Sequence, residues 1–526
     1  MVKQHVLGHR ASVLLLLPVA LLFAAGAARA TTYYVDATSG NDANSGTSPA
    51  EAWRHAPGMS AFSGSAQLAP GDIVYFDSAD TWLVEGNQGI YLTGGVTYSG
   101  SEWGSGTRAT LRATADIASA VVRFRDHPSI ETTIRGFDVD ANGKAANGIE
   151  MNHSFYVGPL TGATKRVDDV VVHHVGGRQA LGQYKYGIIV SNYGGKEGEV
   201  ANVEILNSVV HDIARDGLPI YPGDRNADCI VRNVIVRGNT VYNTGQDPDY
   251  GAGAGIVVKG HVIDATVEYN YVAGTKGAGI FVNGNESNHF GVGPTNIHLR
   301  HNVVNVDTIH GSIRLYDGSS GKDPKDVKIY GNLVFNNWSG AGFLIERDLG
   351  NSNSVLLYNN TFLNAPVVIN NTTASFSILE FRNNIVVDDA KVPFADSARV
   401  TGHSNNLYHG SNTLVRSGGA SYDAGSLSVY EETAVASDPQ FVDARSLPGG
   451  FSLHSGASAR LAPDRNGLAL RPSSPAIGSG ILLDLQYAST IDSSVTRPST
   501  GRWDLGAYQH TATAAPMPPG NLTVVQ

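Results

Sequence analysis

The sequence predicts an all-β solenoid, a parallel β-helix with a cap at its N-terminal end and a covering segment near its C-terminal end. Two observations carry this prediction. The first is an apolar–polar pattern that recurs with Asn in one place, stepping by 31, 31, 32, 30, 28 and 24 residues. After Ser208, the Asn positions are 239, 270, 302, 332, 360 and 384. The second is the residue pattern within each period. Runs rich in Val and Ile alternate with Gly and Asn, and the apolar residues lack helical spacing.

Asparagine suits this recurring position for two reasons. Its backbone tolerates the left-handed conformation that a sharp bend requires, and stacked amides can hydrogen-bond along a stack. We therefore expect one continuous stack of coils from Gly187 to Asn371. The residues expected to form a single ladder in it are Asn239, Asn270, Asn302, Asn332 and Asn360.

A second alternating segment recurs in each period, as in Ile256-Val257-Val258-Lys259 and Ile313-Arg314-Leu315-Tyr316. Its first and third residues are apolar and should face the core, because side chains alternate along a strand. Its second and fourth residues should then face outward. The fourth residues form a column of Ser191, Tyr221, Lys259, Asn283, Tyr316, Glu346 and Asn370. Coils lie about 4.8 Å apart, near the length of a sugar unit, so a long polymer can lie along this column. We predict that Tyr221, Lys259, Asn283, Tyr316 and Glu346 line a single exposed groove.

Residues 1–30 have the pattern of a secretory signal. Lys3 and Arg10 precede the apolar run Ala11–Ala25, and Ala28-Arg29-Ala30 is an A-x-A cleavage pattern. The apolar run is too short for a spanning helix. We expect a protein exported to the periplasm or the outside of the cell, without a membrane span.

The rest of the chain divides by its periodicity. Residues 31–120 are interpreted as the N-terminal cap and first strands, and residues 121–410 as the parallel β-helix. Residues 411–512 contain short strands and turns without the period and are predicted to cover the last coils. The remaining residues, 513–526, are predicted to form a flexible tail.

Charge and cysteine content exclude several classes of function. The signal holds three of the 37 Lys and Arg and none of the 47 Asp and Glu, which leaves 34 against 47 and a net charge of −13. Such a charge disfavours nucleic acid and anionic membranes as partners. Cys229 is the single cysteine, so an internal disulfide and a cysteine zinc site are excluded. A monomer is expected.

A resemblance to a known group of proteins rests on five parts of the sequence. They are the opening Tyr33–Thr47, the turn Pro70–Phe76, the Asn-stepped coils, and the closing Asp438–Asp443 and Arg502–Tyr508. On them the chain resembles secreted bacterial right-handed parallel β-helix proteins of the pectate-lyase-like superfamily. The resemblance covers nearly the whole mature chain. It implies a right-handed β-helix and action on carbohydrate, by a lyase, a glycoside hydrolase or an epimerase. The Gly-His-Gly and aspartate clusters of polygalacturonases are absent.

Lys259 is the leading candidate for a catalytic base, because it is the only lysine in the outward column. A lyase must remove the proton beside a uronate carboxylate, and a lysine can do so when burial or cations lower its pKa. Some lyases that the chain resembles use a strand lysine in this way. The alternative is a solvated lysine on a sheet face.

Two further residues complete the candidate catalytic set. Arg314 can bind a uronate carboxylate in a bidentate way, or it can form a salt bridge with Glu346. Tyr221 can donate a proton or stack on a sugar, or it can be a surface aromatic. The candidate substrate-binding residues are Tyr316, Asn283, Glu346, His261 and Arg347.

Carboxylates and histidines supply the remaining candidates. Asp247 and Asp249 are candidate Ca²⁺ ligands, because this ion prefers oxygen donors. Paired carboxylates would instead serve a glycosidase. The acids expected near the column are Asp212, Asp216, Asp247, Asp249, Asp317, Glu346 and Asp348, and the candidate histidine bases are His211, His261 and His310. His173 and His174 are adjacent in a strand and are predicted to point to opposite faces, without forming a metal pair.

These features favour a polysaccharide lyase that cleaves a uronate polymer by β-elimination. The net charge of the mature chain opposes a polyanionic substrate, so Lys259, Arg314, Arg347 or bound Ca²⁺ would have to offset it locally. A glycoside hydrolase on a neutral or acidic polysaccharide is the first alternative. A non-catalytic carbohydrate-binding solenoid is the second.

Overall fold

The computed structural model is built almost entirely from short strands joined by turns. It describes residues 30–85, 89–152, 159–176, 185–192, 198–222, 229–247, 253–284, 292–316, 322–346, 349, 354–370, 377–397, 400–453 and 461–511. The predicted signal segment falls almost entirely outside these residues, and the predicted tail falls wholly outside them.

Three long sheets run the length of the stack, and each holds 13 strands within the described part of the chain. Each full coil contributes one strand to sheet A, the next to sheet B and the third to sheet C, and strands one coil apart pair in parallel. The all-β class and the right-handed parallel β-helix predicted from the sequence are confirmed. None of the described helices is long and apolar enough to cross a membrane.

Strands are numbered in chain order. Sheet A contains β1 (Thr32–Val35), β2 (Ile73–Asp77), β5 (Thr97–Trp103), β8 (Thr132–Arg135), β11 (Lys165–Asp168), β14 (Gly198–Leu206), β17 (Cys229–Arg237), β20 (Val262–Glu268), β23 (Thr295–Arg300), β26 (Lys325–Tyr330), β29 (Ser354–Tyr358), β32 (Ile378–Arg382) and β35 (Gly402–Ser404).

Sheet B contains β3 (Thr81–Val84), β6 (Ala109–Ala113), β9 (Phe137–Asp140), β12 (Val171–Val175), β15 (Val209–Ile213), β18 (Thr240–Thr244), β21 (Tyr271–Ala273), β24 (Val303–Asn305), β27 (Leu333–Phe335), β30 (Thr361–Leu363), β33 (Ile385–Asp388), β36 (Leu407–Gly410) and β39 (Val435–Ala436).

Sheet C contains β4 (Ile90–Tyr91), β7 (Ile117–Arg123), β10 (Ala145–Asn152), β13 (Tyr186–Ser191), β16 (Leu218–Tyr221), β19 (Ile256–Lys259), β22 (Ile280–Asn283), β25 (Ile313–Tyr316), β28 (Phe343–Glu346), β31 (Val367–Asn370), β34 (Phe394–Asp396), β37 (Val415–Ser417) and β38 (Ala420–Tyr422). The other elements are the antiparallel pair β40 (Phe451–Leu453) and β41 (Leu461–Pro463), the helix α1 (Leu427–Tyr430) and two 3-10 turns, Pro49–Glu51 and Leu485–Tyr487.

The core is a column of apolar side chains enclosed by the three sheets. In sheet C, the first and third residues of each predicted segment belong to it, as with Ile256 and Val258, which are fully buried. Each pairs with the same position one coil on, Ile256 with Ile280 and Val258 with Val282. The predicted register of the sheet is therefore correct, and the second and fourth residues lie on its outer side.

The Asn ladder is present between sheets A and B. Each amide donates to the next amide oxygen at 2.9–3.1 Å, in the order Asn239, Asn270, Asn302, Asn332, Asn360, Asn384 and Asn406. At the end of the series the Asn406 amide donates to Glu431. The left-handed bend falls on the residue before each ladder Asn, for example Tyr269 and His301, and not on the ladder Asn itself.

Both ends of the stack extend beyond the predicted β-helix. The parallel ladders already begin at β1 and β3, so residues 31–120 form coils as well as a cap. Beyond residue 410, β37 and β39 still extend sheets C and B. The C-terminal segment packs along the flank of sheets A and B, where Tyr487 contacts Tyr330 and Tyr358 with ring centroids 5.1 Å apart.

Candidate functional site

The predicted outward column of sheet C is aligned as the sequence indicates. Lys259, Asn283, Tyr316 and Glu346 are register partners in four successive coils. Tyr221 ends β16 beside them, because Ile220 pairs with Val258 one residue earlier. These residues therefore follow one another along the stack on one side of the sheet.

The column is not evenly open, and the prediction of one exposed groove along all five side chains is wrong. Tyr221, Asn283 and Tyr316 retain 7 %, 2 % and 8 % of their accessible surface, whereas the Glu346 side chain is 37 % exposed and Lys259 is half-buried. A correct register places a side chain outside the core without exposing it to solvent. Tyr316, for example, packs edge-on against the Phe281 ring at 6.3 Å.

Lys259 lies near an aromatic ring and a partly buried carboxyl group. Its ammonium lies 5.1 Å from the centroid of the Tyr221 ring, within the range of a cation–π contact. It also interacts electrostatically with Asp216, whose Oδ1 accepts the Ala254 N–H at 2.8 Å. Burial raises the pKa of Asp216, while the charges of Arg215 and Lys259 and the Ala254 hydrogen bond oppose that rise. A cation, a phenol and a carboxyl group with a raised pKa thus meet in two neighbouring coils.

Arg314 is engaged by its neighbours. Its guanidinium forms an ion pair with Glu346 and lies over the rings of Phe281 and Tyr316, at 4.9 and 4.7 Å from their centroids. The salt bridge weighed as an alternative from the sequence is therefore present. A substrate carboxylate would have to compete with Glu346 for this guanidinium.

Two candidate histidines flank this face. His310 lies near the Arg314–Glu346 pair, and its pKa is lowered by burial and by the Arg314 charge. His261 is half-buried in the turn after Lys259, where its carbonyl accepts the Val231 N–H at 3.1 Å. Neither is in the outward column itself. A role for either therefore stays a prediction.

The glycines before β19 allow neighbouring coils to pack closely. A Cβ on Gly255 would lie 2.4 Å from Cγ1 of Val272 and 2.7 Å from the Gly279 carbonyl oxygen. A Cβ on Gly253 would lie 2.1 Å from the Gly245 Cα. These glycines thus let adjacent backbones approach beside the strand that ends in Lys259.

Asp247, one of the two predicted Ca²⁺ ligands, is paired with a lysine in the described structure, and the calcium site stays a prediction. Asp247 Oδ2 accepts the Lys185 ammonium at 2.8 Å, and both side chains are at least nine-tenths buried. This ion pair already compensates the carboxylate charge that Ca²⁺ would need. Several predicted residues lie outside the described part of the chain, namely Asp249, Asp317, Arg347 and Asp348.

The prediction that His173 and His174 point to opposite faces of the strand is wrong. His174 has a φ of 53°, in the left-handed region, which turns its ring to the side of its neighbour. The two Nδ1 atoms lie 2.9 Å apart, and His174 Nδ1 lies 3.1 Å from Asp140 Oδ1. Strict alternation fails here because the strand bends. The sequence does contain a sign of this bend. Asp212 and Asn243 occupy the same position one and two coils on, have positive φ, and are residue types that tolerate it.

A line of rings extends from this pair along sheet B. His173 stacks on His211 at 5.2 Å, and His211 stacks on Tyr242 at 4.9 Å. His211 Nδ1 lies 2.7 Å from Asp212 Oδ2, and His173 Nε2 lies 2.6 Å from Asp138 Oδ1. The repeat pattern of the sequence does not indicate that these rings stack on one another across coils.

No protein-family model and no curated protein matches the sequence. Among solved structures, the complex of XylC with xylose aligns with a TM-score of 0.48 at 9 % identity, over 91 % of this chain and 98 % of that chain. Pectate lyase Pel9A aligns with a TM-score of 0.39 at 15 % identity, over 91 % and 96 % of the two chains. The GH136 lacto-N-biosidase from Eubacterium ramulus aligns with a TM-score of 0.40 at 15 % identity, over 74 % and 67 %. These likenesses are distant, and what the chain itself shows is a right-handed parallel β-helix.

Proposed function

We propose that this protein is a carbohydrate-active enzyme that binds a polysaccharide along the outer side of sheet C and cleaves it by β-elimination. The observation that carries the proposal is the position of Lys259, half-buried beside Tyr221 in the outward column. The adjacent coils repeat at about the length of a sugar unit. A polymer running along the stack would therefore present successive units to successive coils.

The elimination requires two proton transfers, one to Lys259 and one from Tyr221. The Lys259 amine takes the proton from the carbon beside the uronate carboxylate, and the released electron pair forms a carbon–carbon double bond. The bond from the neighbouring carbon to the glycosidic oxygen breaks, and that oxygen takes a proton from the Tyr221 hydroxyl. The Lys259 amine and the Tyr221 phenol are in neighbouring coils, so one sugar unit and its leaving oxygen can reach both.

The charges near Lys259 affect how strongly a uronate substrate would bind there. An ionised Asp216 would repel a carboxylate, and burial shifts its equilibrium toward the neutral acid. Arg314 lies two coils on and is paired with Glu346, so it would hold a different sugar unit from the one at Lys259. Binding there requires the substrate carboxylate to replace Glu346.

A glycoside hydrolase is the second candidate, and Asp216 favours it. A glycosidase needs a carboxylic acid that stays protonated long enough to protonate the leaving oxygen. Burial raises the pKa of Asp216 in the required direction. In this alternative Asp216 is the general acid and Lys259 holds the substrate.

Incubation of the purified protein with a panel of neutral and uronate-containing polysaccharides separates these functions. Elimination produces an unsaturated uronate that absorbs in the ultraviolet, together with new reducing ends. Hydrolysis gives reducing ends without that absorbance. A protein that binds one of the polymers and releases neither product would be a binding solenoid, and the proposal of an enzyme would then be wrong.

A further inference from the structure

Three potential ligand atoms converge on the outer side of sheet B, away from the column that ends in Lys259. His173, His174 and Asp140 each offer one ligand atom, and these three atoms all lie within 4.8 Å of one another. The Nδ1 atoms of His173 and His174 are 2.9 Å apart, and His174 Nδ1 is 3.1 Å from Asp140 Oδ1. Among the described residues, this is the group of His, Cys, Asp and Glu whose geometry suits a metal ion.

We infer that these three atoms bind a divalent transition-metal ion such as Zn²⁺. Zinc–nitrogen and zinc–oxygen bonds are about 2.0–2.2 Å long, so two ligand atoms on one ion lie about 2.9–3.5 Å apart, depending on the angle between the bonds. The distances of 2.9 and 3.1 Å fall in that range. Two imidazoles and one carboxylate are also a donor set that suits zinc and its neighbours better than Ca²⁺ or Mg²⁺.

The contact with Asp138 favours the tautomer of His173 that can bind a metal through Nδ1. Its Nε2 lies 2.6 Å from Asp138 Oδ1, so a neutral ring that donates its N–H there keeps the lone pair on Nδ1. The ring also stacks on His211 and is 14 % exposed. Carboxylates that orient a ligating histidine in this way are a common feature of zinc sites.

Asp140 is held in place by two other groups. Its Oδ1 accepts the Asn142 N–H at 2.8 Å, and Oδ2 lies 3.3 Å from Nε of Arg112. The Arg112 charge opposes a bound cation, whereas Asp138 and Asp140 attract one. The Arg112 side chain is 49 % exposed, so its charge is screened by solvent.

The proposed site is open to solvent on the side of His174. This histidine is 54 % exposed and takes its position from its left-handed backbone conformation. An ion bound by the three atoms therefore keeps coordination positions toward water. His211 does not complete the set, because its Nδ1 contacts Asp212 and its ring centroid is 6.5 Å from that of His174.

A shared proton is the competing explanation of the same contacts. A hydrogen on His174 Nδ1 could be donated to both His173 Nδ1 and Asp140 Oδ1, and no metal would be needed. The two explanations differ in what happens when zinc is added. The metal site predicts saturable binding with loss on removal of any one donor, and the shared proton predicts no binding that depends on them.

The test is calorimetric titration of the chelator-treated full chain with Zn²⁺, supported by the visible spectrum of the Co²⁺ form. The variants are His174→Asn, which the left-handed position tolerates, Asp140→Asn and Asp138→Asn. His409→Asn, on the same sheet in a distant coil, is the matched control. Thermal unfolding of each variant establishes that it is folded before binding is compared.

We expect one ion per chain in the parent protein and in His409→Asn. Asp138→Asn should weaken binding about 10–100-fold, because it removes an orienting partner and leaves the ligands. His174→Asn and Asp140→Asn should weaken it more and change the Co²⁺ spectrum. Absence of binding to the parent protein, or equal affinity in folded His174→Asn and Asp140→Asn, would overturn the site.

Discussion

Asp216 shows how a single, partly buried group links the candidate site to stability. The carboxyl accepts one backbone hydrogen bond, lies 3.9 Å from the nearest Arg215 nitrogen and interacts with Lys259. Burial nevertheless raises the pKa of Asp216. The folded chain therefore holds this proton to a higher pH than the unfolded chain does. The stabilisation is fully present below the unfolded pKa and is lost as pH rises through the folded pKa.

Asp216→Asn should remove this pH dependence. The amide oxygen can still accept the Ala254 N–H, and the variant carries no ionisable group there. We expect the stability of the variant relative to the parent to increase as pH rises from acid toward neutral, measured by urea unfolding at several pH values. A constant difference between the two proteins across that range would contradict the raised pKa.

At the scale of the element, the Asn ladder shows what one repeated residue contributes. Asn302 is fully buried, and its Nδ2 donates to Val267 O at 2.8 Å and to Asn332 Oδ1 at 3.0 Å. Its Oδ1 accepts both the amide and the backbone N–H of Asn270 at 3.0 Å. Each Asn of the ladder therefore forms hydrogen bonds with buried polar groups in the coils on either side.

Asn302→Leu should destabilise the protein by about 1–3 kcal/mol, because it leaves those groups without partners. Urea unfolding at neutral pH measures the change. Asn412→Leu is the control, since Asn412 is exposed and its replacement should stay within about 0.5 kcal/mol. Equal stability of the two variants would mean that the ladder does not stabilise the stack.

The same elements show what the sequence can and cannot predict. Period and alternation predicted the ladder, the pairing of Lys259 with Asn283, and the buried first and third residues, because these depend only on coil length and strand geometry. Exposure was not predictable, since Tyr316 is covered by neighbours that alternation does not specify. The His173–His174 pair was missed because a single left-handed residue reverses which face a side chain occupies.

At the scale of the whole molecule, the C-terminal segment is attached to the stack through a histidine. His301 is fully buried, and its Nε2 lies 2.8 Å from Ser489 Oγ of that segment. The Tyr269 hydroxyl donates to the Thr490 carbonyl at 3.2 Å nearby. Burial and the charges of Arg300 and Arg497 lower the pKa of His301 from 6.5 to about 3.

Acid should therefore weaken this attachment. The unfolded chain binds the His301 proton first as pH falls, so the stability due to the neutral ring is lost between pH 6.5 and about 3. His301→Asn keeps a residue suited to the left-handed position, as at Asn359 and Asn383, and should flatten the pH dependence of the melting temperature over that interval. An unchanged slope in the variant would show that another group causes the acid sensitivity.

The most direct test of the proposed function is the turnover of Lys259→Ala on the polysaccharide that the parent protein cleaves best. Lys276→Ala is the matched control, because Lys276 is exposed and lies in the next coil, in the turn before β22. We predict that Lys259→Ala loses about 10²–10⁴-fold in kcat, as expected for loss of a general base, while its melting temperature and that of the control stay near the parent value. Full activity in a folded Lys259→Ala would contradict the assignment of the base and of elimination on this face.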